Sequence, residues 1–318
     1  MKKIVSLNLS LVLLLLCGCT ATQENKETAF LLDTIVTLTA NCDGDTLDGA
    51  FALCKEYEQT LSRTVEGSDV YTLNNSNGFV TVSNDTKQII ERANYYSDLS
   101  NGKFDITIYA ISSLWDFNNQ IIPSKNEIAD ALKNVDYHSI EIENNSINLN
   151  GKKIDLGGIA KGYIADRLLD YFKQNNVNEG IIDLGGNLVL FGNRDYTVGI
   201  KKPFSNGELA ATLKLRNKTV VTSGTYERYI KKDDIIYHHI LDSKTGYAVK
   251  SDLCSATIIG DSSFDADALS TVCILVGLDN AREIIENIPN IEAVFIDTDS
   301  KLHYTSGLTL TNNIFTLK

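Results

Sequence analysis

Asp155-Leu156-Gly157-Gly158-Ile159-Ala160-Lys161-Gly162-Tyr163 reads as an extended segment, a double-glycine turn and the first turn of a helix. After it, Ile164, Leu168, Leu169 and Phe172 recur at helical spacing, which predicts a helix over residues 160–174. Before it, residues 153–156 predict a strand. A helix N-terminus exposes unpaired N–H groups and the positive end of its dipole, so it attracts phosphate. Glycines let a ligand approach the backbone. Lys161 sits in the first helical turn, where the dipole disfavours a cation, and a nearby anion would account for it. The spacing is neither that of a Walker A loop nor GxGxxG, so a plain tight turn is the competing reading. The phrase recurs as Ile182-Asp183-Leu184-Gly185-Gly186 without the lysine, and reads there as a structural turn first and a site wall second.

Outward from this phrase the pattern is α+β. Strands are predicted over residues 30–40, 180–184, 188–191, 197–200, 211–215, 219–222, 293–297 and 301–304, with a hairpin at 140–142 and 147–149. Helical spacing marks residues 47–61, 85–97, 123–133, 265–276 and 280–288, and a short helix over 108–115. Ser124 and Glu127 have capping-box spacing. Three prolines and no low-complexity linker point to one unit of two lobes over residues 30–318, with its weakest boundary near Pro123.

The chain has 318 residues, 43% of them hydrophobic, enough for a large core. A net charge of −12 argues against a nucleic-acid surface. It also means that an anionic ligand needs local cations, from Lys161 or a metal. Lys2 and Lys3, then the apolar residues 9–16, then Leu16-Cys17-Gly18-Cys19 resemble a bacterial lipoprotein signal. The expectation is a signal peptide over 1–18, lipidation at Cys19, a polar tether over 19–29 and an extracytoplasmic, membrane-anchored protein. Cys42, Cys54, Cys254 and Cys273 form no CxxC pair, so a zinc site is not expected. Free buried thiols are favoured over a disulfide, for which Cys42 with Cys54 is one candidate.

Two further motifs carry chemistry. Asp267 and Thr271 stand four apart on one helix face within Asp265-Ala266-Asp267-Ala268-Leu269-Ser270-Thr271. Their oxygens suit Mg2+. The competing reading is a solvated face with an N-terminal Asp near the dipole, but Ala268, Leu269, Val272 and Ile274 make this helix mostly apolar. Thr222-Ser223-Gly224 precedes His238-His239-Ile240-Leu241-Asp242; in an alternating strand one histidine points inward, as a core histidine or as a base or phosphate contact.

The order of DLGGIAKGY, IDLGGN, TSGTYERY, HHILDSKTG and DADALST resembles the ApbE family, the FAD:protein FMN transferases, over essentially the whole mature chain. Leu32-Asp33-Thr34, Leu61-Ser62-Arg63 with residues 68–74, and residues 102–107 leading to Leu114-Trp115 extend the match. The resemblance implies a Mg2+-dependent transfer of FMN from FAD to a Ser or Thr hydroxyl of an exported acceptor, releasing AMP. The acceptor it implies is an FMN-binding domain of a membrane electron-transfer or sodium-pumping complex. By match to the family's motifs, Asp155 and Lys161 contact FAD, while the Gly158 carbonyl, Asp267 and Thr271 ligate Mg2+. Leu32, Lys103, Phe104, Asp105 and Leu241 line the flavin and adenosine pocket, and Thr222, Ser223 and Gly224 join the cofactor-binding residues. His239 matches the family's histidine near the phosphates; with Asp155 it is a candidate catalytic residue. Two departures bear on cofactor affinity and on the balance of transfer against hydrolysis. Thr64-Val65 replaces an aromatic common after the Leu-Ser pair, and Leu32 replaces a methionine. An FAD pyrophosphatase and a non-catalytic flavin-binding lipoprotein are the alternatives.

Overall fold

The computed structural model describes residues 24–318. In chain order these form β1 (Glu24–Leu31), β2 (Thr34–Asn41), α1 (Gly44–Leu61), α2 (Asp69–Asn75), β3 (Val80–Thr81), α3 (Asn84–Leu99), α4 (Tyr109–Ser112) and α5 (Lys125–Leu132). There follow β4 (Glu141–Glu143), β5 (Ser146–Asn148), α6 (Ala160–Gln174), β6 (Gly180–Leu184), β7 (Asn187–Phe191), β8 (Tyr196–Lys201), β9 (Leu209–Leu215) and β10 (Lys218–Gly224). The chain closes with β11 (Tyr229–Lys232), β12 (Ile235–His238), β13 (Leu253–Gly260), α7 (Ser263–Val276), α8 (Leu278–Glu286), β14 (Glu292–Asp297), β15 (Leu302–Tyr304), β16 (Leu308–Thr311) and β17 (Ile314–Leu317).

The frame is an eight-stranded sheet in the order β1-β2-β6-β7-β10-β13-β14-β15, antiparallel at every pairing. Alternation along its strands divides the core. Val36, Leu38, Ile182, Val189, Val221, Ile258 and Phe295 face a cluster built with α1, α6 and α7. Leu190, Val220, Ile259, Val294 and Ile296 face the other way, against the four-stranded sheet β16-β17-β9-β8. A third, smaller cluster of Ile111, Trp115, Ile128, Ile230 and Leu241 lies under the β11–β12 hairpin.

The α+β class, the capping box at Ser124 and Glu127, and the β4–β5 hairpin are as expected. All four cysteines among the described residues are free. Cys54 is fully buried, and burial pushes its thiol up to about 12, so it stays protonated and unreactive at neutral pH.

Three expectations are corrected. The single strand over 30–40 is a hairpin: Leu32 and Asp33 both hold φ at 56°, turning the chain between β1 and β2. Residues 24–29, expected in a tether, belong to β1 and pair with β2 along their whole length. Residues 153–156 are extended but join no ladder. The Asn74 amide takes the strand's place, donating from Nδ2 to Ile154 O at 2.9 Å and accepting from Ile154 N at 2.7 Å. The signal segment 1–18 and Cys19 lie outside the described residues. Among those described, no helix is long and apolar enough to cross a membrane.

Candidate active site

The two double-glycine phrases use one local device. Asp155 Oδ1 accepts from Gly157 N at 2.9 Å, and Asp183 Oδ1 accepts from Gly185 N at 3.0 Å and Gly186 N at 3.3 Å. An Asp that bonds to the backbone two residues on closes its own turn. The first turn feeds α6, whose N-cap residue Ile159 makes no side-chain cap. The second joins β6 to β7 and packs against Thr34, at the end of the sheet where the Leu32-Asp33 turn and Gly224 also lie.

The missing cap is replaced from α7. Asp267, 4% exposed, accepts from Gly162 N through Oδ2 at 2.9 Å. Its Oδ1 has only Lys161 Nζ nearby, at 3.9 Å, and that ammonium also donates to Gly157 O at 3.3 Å. The helices meet through Gly162, where an added Cβ would lie 2.6 Å from Asp267 Cβ and closer still to Ser263 O. From α6, Asp166 grips the start of α7 by accepting from Ser263 N at 2.9 Å, Ser262 Oγ at 3.0 Å and Phe264 N at 3.1 Å. Burial raises the Asp166 pKa, against the pull of these bonds. So Asp267 is fixed from two sides, with one carboxylate oxygen left for a loose ion pair.

One turn further along α7, Thr271 Oγ1 lies 3.3 Å from Ser223 Oγ, which is 2.7 Å from Ser270 Oγ. Thr222 points to the opposite face, 2.9 Å from Thr257 Oγ1. A Cβ added to Gly158 would sit 3.2 Å from the Phe104 ring and 3.9 Å from Thr271 Oγ1. The structure thus brings together Asp155, Gly158, Lys161, Asp267, Thr271, Ser223 and Phe104. Asp267 is buried, so this face of α7 is not a solvated one.

The histidines separate. His238 is buried, with Nε2 3.2 Å from Val249 O, which makes it a core histidine. His239 is half-buried, its Nδ1 3.3 Å from Arg228 O and its ring edge-on to Phe117 at 6.5 Å. Burial pushes the His239 pKa down from 6.5 to about 4; the bond to Arg228 O opposes this, and the Arg228, His238 and Lys161 charges add to it. The ring is therefore neutral at pH 7, and an Nδ1–H directed at Arg228 O leaves Nε2 as a proton acceptor. Between about pH 6.5 and 4 the unfolded chain binds more protons here than the folded one, so this group's share of stability falls as pH falls through that window. An NMR titration of the His239 ring is expected to show a midpoint near pH 4; a midpoint near the free value would place the ring in open solvent.

Some expected residues are committed elsewhere. Lys103 Nζ donates to Leu275 O at 2.9 Å, satisfying a carbonyl at the end of α7. Asp105 accepts from Thr107 N and Oγ1 and from Tyr137 N, at 2.6–3.2 Å. Its carboxylate braces a turn. It borders a cavity of about 510 Å3 lined by Asp98, Asp136, Tyr137 and His138 and, from the segment after Asp242, by Ser243 and Lys244. Leu241 is buried beside Trp115 in the third core cluster. Leu32 N donates to Glu58 Oε1 at 2.9 Å, which helps hold the turn at positive φ.

Two residues carried no sequence signal of their own. Glu227 lies within TSGTYERY. Although the residue as a whole is exposed, loss of solvent raises its carboxyl pKa, with Lys161, Lys201 and Arg228 lowering it and Asp267 raising it. Arg63 lies 3.5 Å from Asp155 Oδ2.

The ApbE family model matches residues 32–295. The chain belongs to the ApbE family. It is 34% identical over 255 residues to a FAD:protein FMN transferase of Klebsiella pneumoniae (strain 342), covering 77% of this chain and 80% of that protein. It is 29% identical over 288 residues to the FAD:protein FMN transferase of Treponema pallidum (strain Nichols), covering 82% and 80%. The crystal structure of the ApbE protein of Thermotoga maritima superposes with a TM-score of 0.81 at 29% identity, over 89% of this chain and 97% of that one. The flavin transferase ApbE from Vibrio cholerae has the same fold, with a TM-score of 0.78 over 89% and 97% at 21% identity. This ApbE chain therefore shares with solved relatives the frame that sets α6 against α7.

The oxygens gathered there fit a hard divalent cation. Asp267 supplies a buried carboxylate oxygen with no hydrogen bond, Thr271 a hydroxyl, and Gly158 a backbone at close approach. Among the described residues no three His, Cys, Asp or Glu side chains are grouped to hold a metal. A cation on this oxygen set would complete its shell with water and substrate oxygens, as Mg2+ does.

Proposed function

We propose that the chain is an enzyme that transfers FMN from FAD to a Ser or Thr hydroxyl of an exported protein, releasing AMP. The observation that carries the reading is the junction of α6 and α7. There the N-terminus of α6, which has no cap from its own N-cap residue, Lys161 and a buried, half-satisfied Asp267 converge beside Thr271 and Gly158. Family membership and the printed activity of the relatives support it.

Transfer of this kind rests on positioning and charge neutralisation. The acceptor oxygen forms a bond to the phosphorus of the FMN half, and the bond from that phosphorus to the oxygen bridging to AMP breaks. The bridging oxygen leaves with AMP. Lys161 and the α6 N-terminus hold the pyrophosphate. Asp155 keeps the glycine turn in shape, so that its backbone can approach the phosphates. Neutral His239 accepts the acceptor's proton. Asp267, Thr271 and the Gly158 carbonyl would hold Mg2+, which when bound neutralises phosphate charge and stabilises the leaving oxygen. The acceptor is an FMN-binding domain of a membrane electron-transfer or sodium-pumping complex. The Leu16-Cys17-Gly18-Cys19 segment supports a lipid anchor at Cys19 and an extracytoplasmic location.

The test follows AMP by chromatography after incubating the chain with FAD, with and without Mg2+ and an FMN-binding domain. AMP that needs Mg2+ and rises with the acceptor is expected. AMP and free FMN at one rate with or without the acceptor would make the chain a pyrophosphatase; intact bound FAD would make it a carrier.

A further inference from the structure

We propose that Arg63 is a phosphate contact of the FAD site, a second side-chain cation beside Lys161. The inference rests on the reading of the α6 N-terminus as the pyrophosphate site. Arg63 follows α1 in a loop pinned at several points. Ser68 Oγ donates to Ser62 O, and Thr64 N donates to Ser62 Oγ at 3.2 Å. Its guanidinium lies over the Tyr109 ring, 4.9 Å from the centroid, and its Nε stands 3.5 Å from Asp155 Oδ2. Tyr109 and Ser112, whose Oγ is 3.4 Å from the same Asp155 oxygen, both come from α4. One face and one edge of the guanidinium are thus fixed on the side chain that closes the Gly157-Gly158 turn.

The remaining edge is open. Among the described residues the charged group's contacts are with Asp155 and the Tyr109 ring, and the side chain is 38% exposed. Two amino groups in a planar fork, held in place before any ligand arrives, match two oxygens of a phosphate. If the guanidinium served only to neutralise Asp155, it would be expected to turn its fork toward the carboxylate. The nearest approach is instead by Nε, at a distance too long for a good hydrogen bond.

The test is a flavin-fluorescence titration of the full chain without metal, comparing FAD with riboflavin, which has no phosphate. Arg63→Gln keeps a stem that packs on Tyr109 but removes the charge; Arg63→Lys keeps the charge. FAD affinity is expected to fall about tenfold in the Gln variant with riboflavin affinity unchanged, and to stay within about threefold of the parent in the Lys variant. Equal weakening of FAD and riboflavin, or no weakening of FAD, would overturn the assignment and leave Arg63 as a brace for Asp155. Failure of the parent chain to bind FAD would overturn the functional reading itself, and the Arg63 assignment with it.

Discussion

Asp267→Asn is expected to lower FAD turnover by on the order of 100- to 1000-fold, the loss seen when one preorganised charge-stabilising group is removed. The same change is expected to leave the unfolding midpoint nearly unmoved. The side chain keeps its shape, and its amide oxygen still accepts from Gly162 N, the contact that joins α7 to α6. What disappears is the negative charge that Lys161 faces at 3.9 Å and that a divalent cation would require. A buried carboxylate also has a desolvation cost that the amide lacks, so stability has no reason to fall far. Kinetics with a Mg2+ titration, run beside a thermal melt, separate the two effects. Turnover within a fewfold of the parent would remove Asp267 from the site, and a collapse of the melt would make its role structural.

Gly162→Ala is expected to fail in the opposite manner, through the fold. The new methyl group would lie 2.6 Å from Asp267 Cβ and inside contact distance of Ser263 O. Neither neighbour can swing aside, because one atom is a Cβ and the other is backbone in the first turn of α7, which Asp166 grips. The helices must separate. Overpacking of this kind costs about 1–3 kcal/mol, which should lower the melting midpoint by several degrees. Separation also pulls Asp267 off Gly162 N, so activity is expected to fall with stability. A variant with both the melt and the turnover of the parent would show that the helices do not meet backbone to backbone.

These two residues also show how much the sequence disclosed. Asp155 to Tyr163 was readable as a turn into a helix, because glycine conformation, helix dipoles and apolar spacing are local properties. Asp267 and Thr271 were readable as a pair because helical periodicity is local too. That Gly162 N and Asp267 Oδ2 meet across 105 residues was not readable, since only the packing of α6 on α7 brings them together. The same limit explains Arg63, whose role depends on Tyr109 and Asp155, distant in sequence. Lys103 and Asp105 carry motif identity, but their charges answer nearer needs: the open carbonyl at the end of α7 and the turn at Thr107.

Several strands gave no expectation, among them β11, β12, β13, β16 and β17. β13 joins β10 to β14 near the middle of the sheet, yet it gave no expectation. Its residues Leu253-Cys-Ser-Ala-Thr-Ile-Ile-Gly are buried on nearly every position, with Ser255 and Thr257 inside. A strand covered on both faces loses the period of two. The hairpin at Leu32-Asp33 was missed for another reason: turns with positive φ at both central residues favour Asn and Gly, and a leucine there gives no signal.

The most direct measurement is in-gel flavin fluorescence. The chain, FAD and Mg2+ are mixed with an FMN-binding domain that carries a Ser or Thr acceptor, and the products are denatured before electrophoresis. The account predicts a fluorescent acceptor band, absent when Mg2+ is removed and absent with Asp267→Asn. An acceptor that stays dark while FAD is cleaved to FMN and AMP would contradict it.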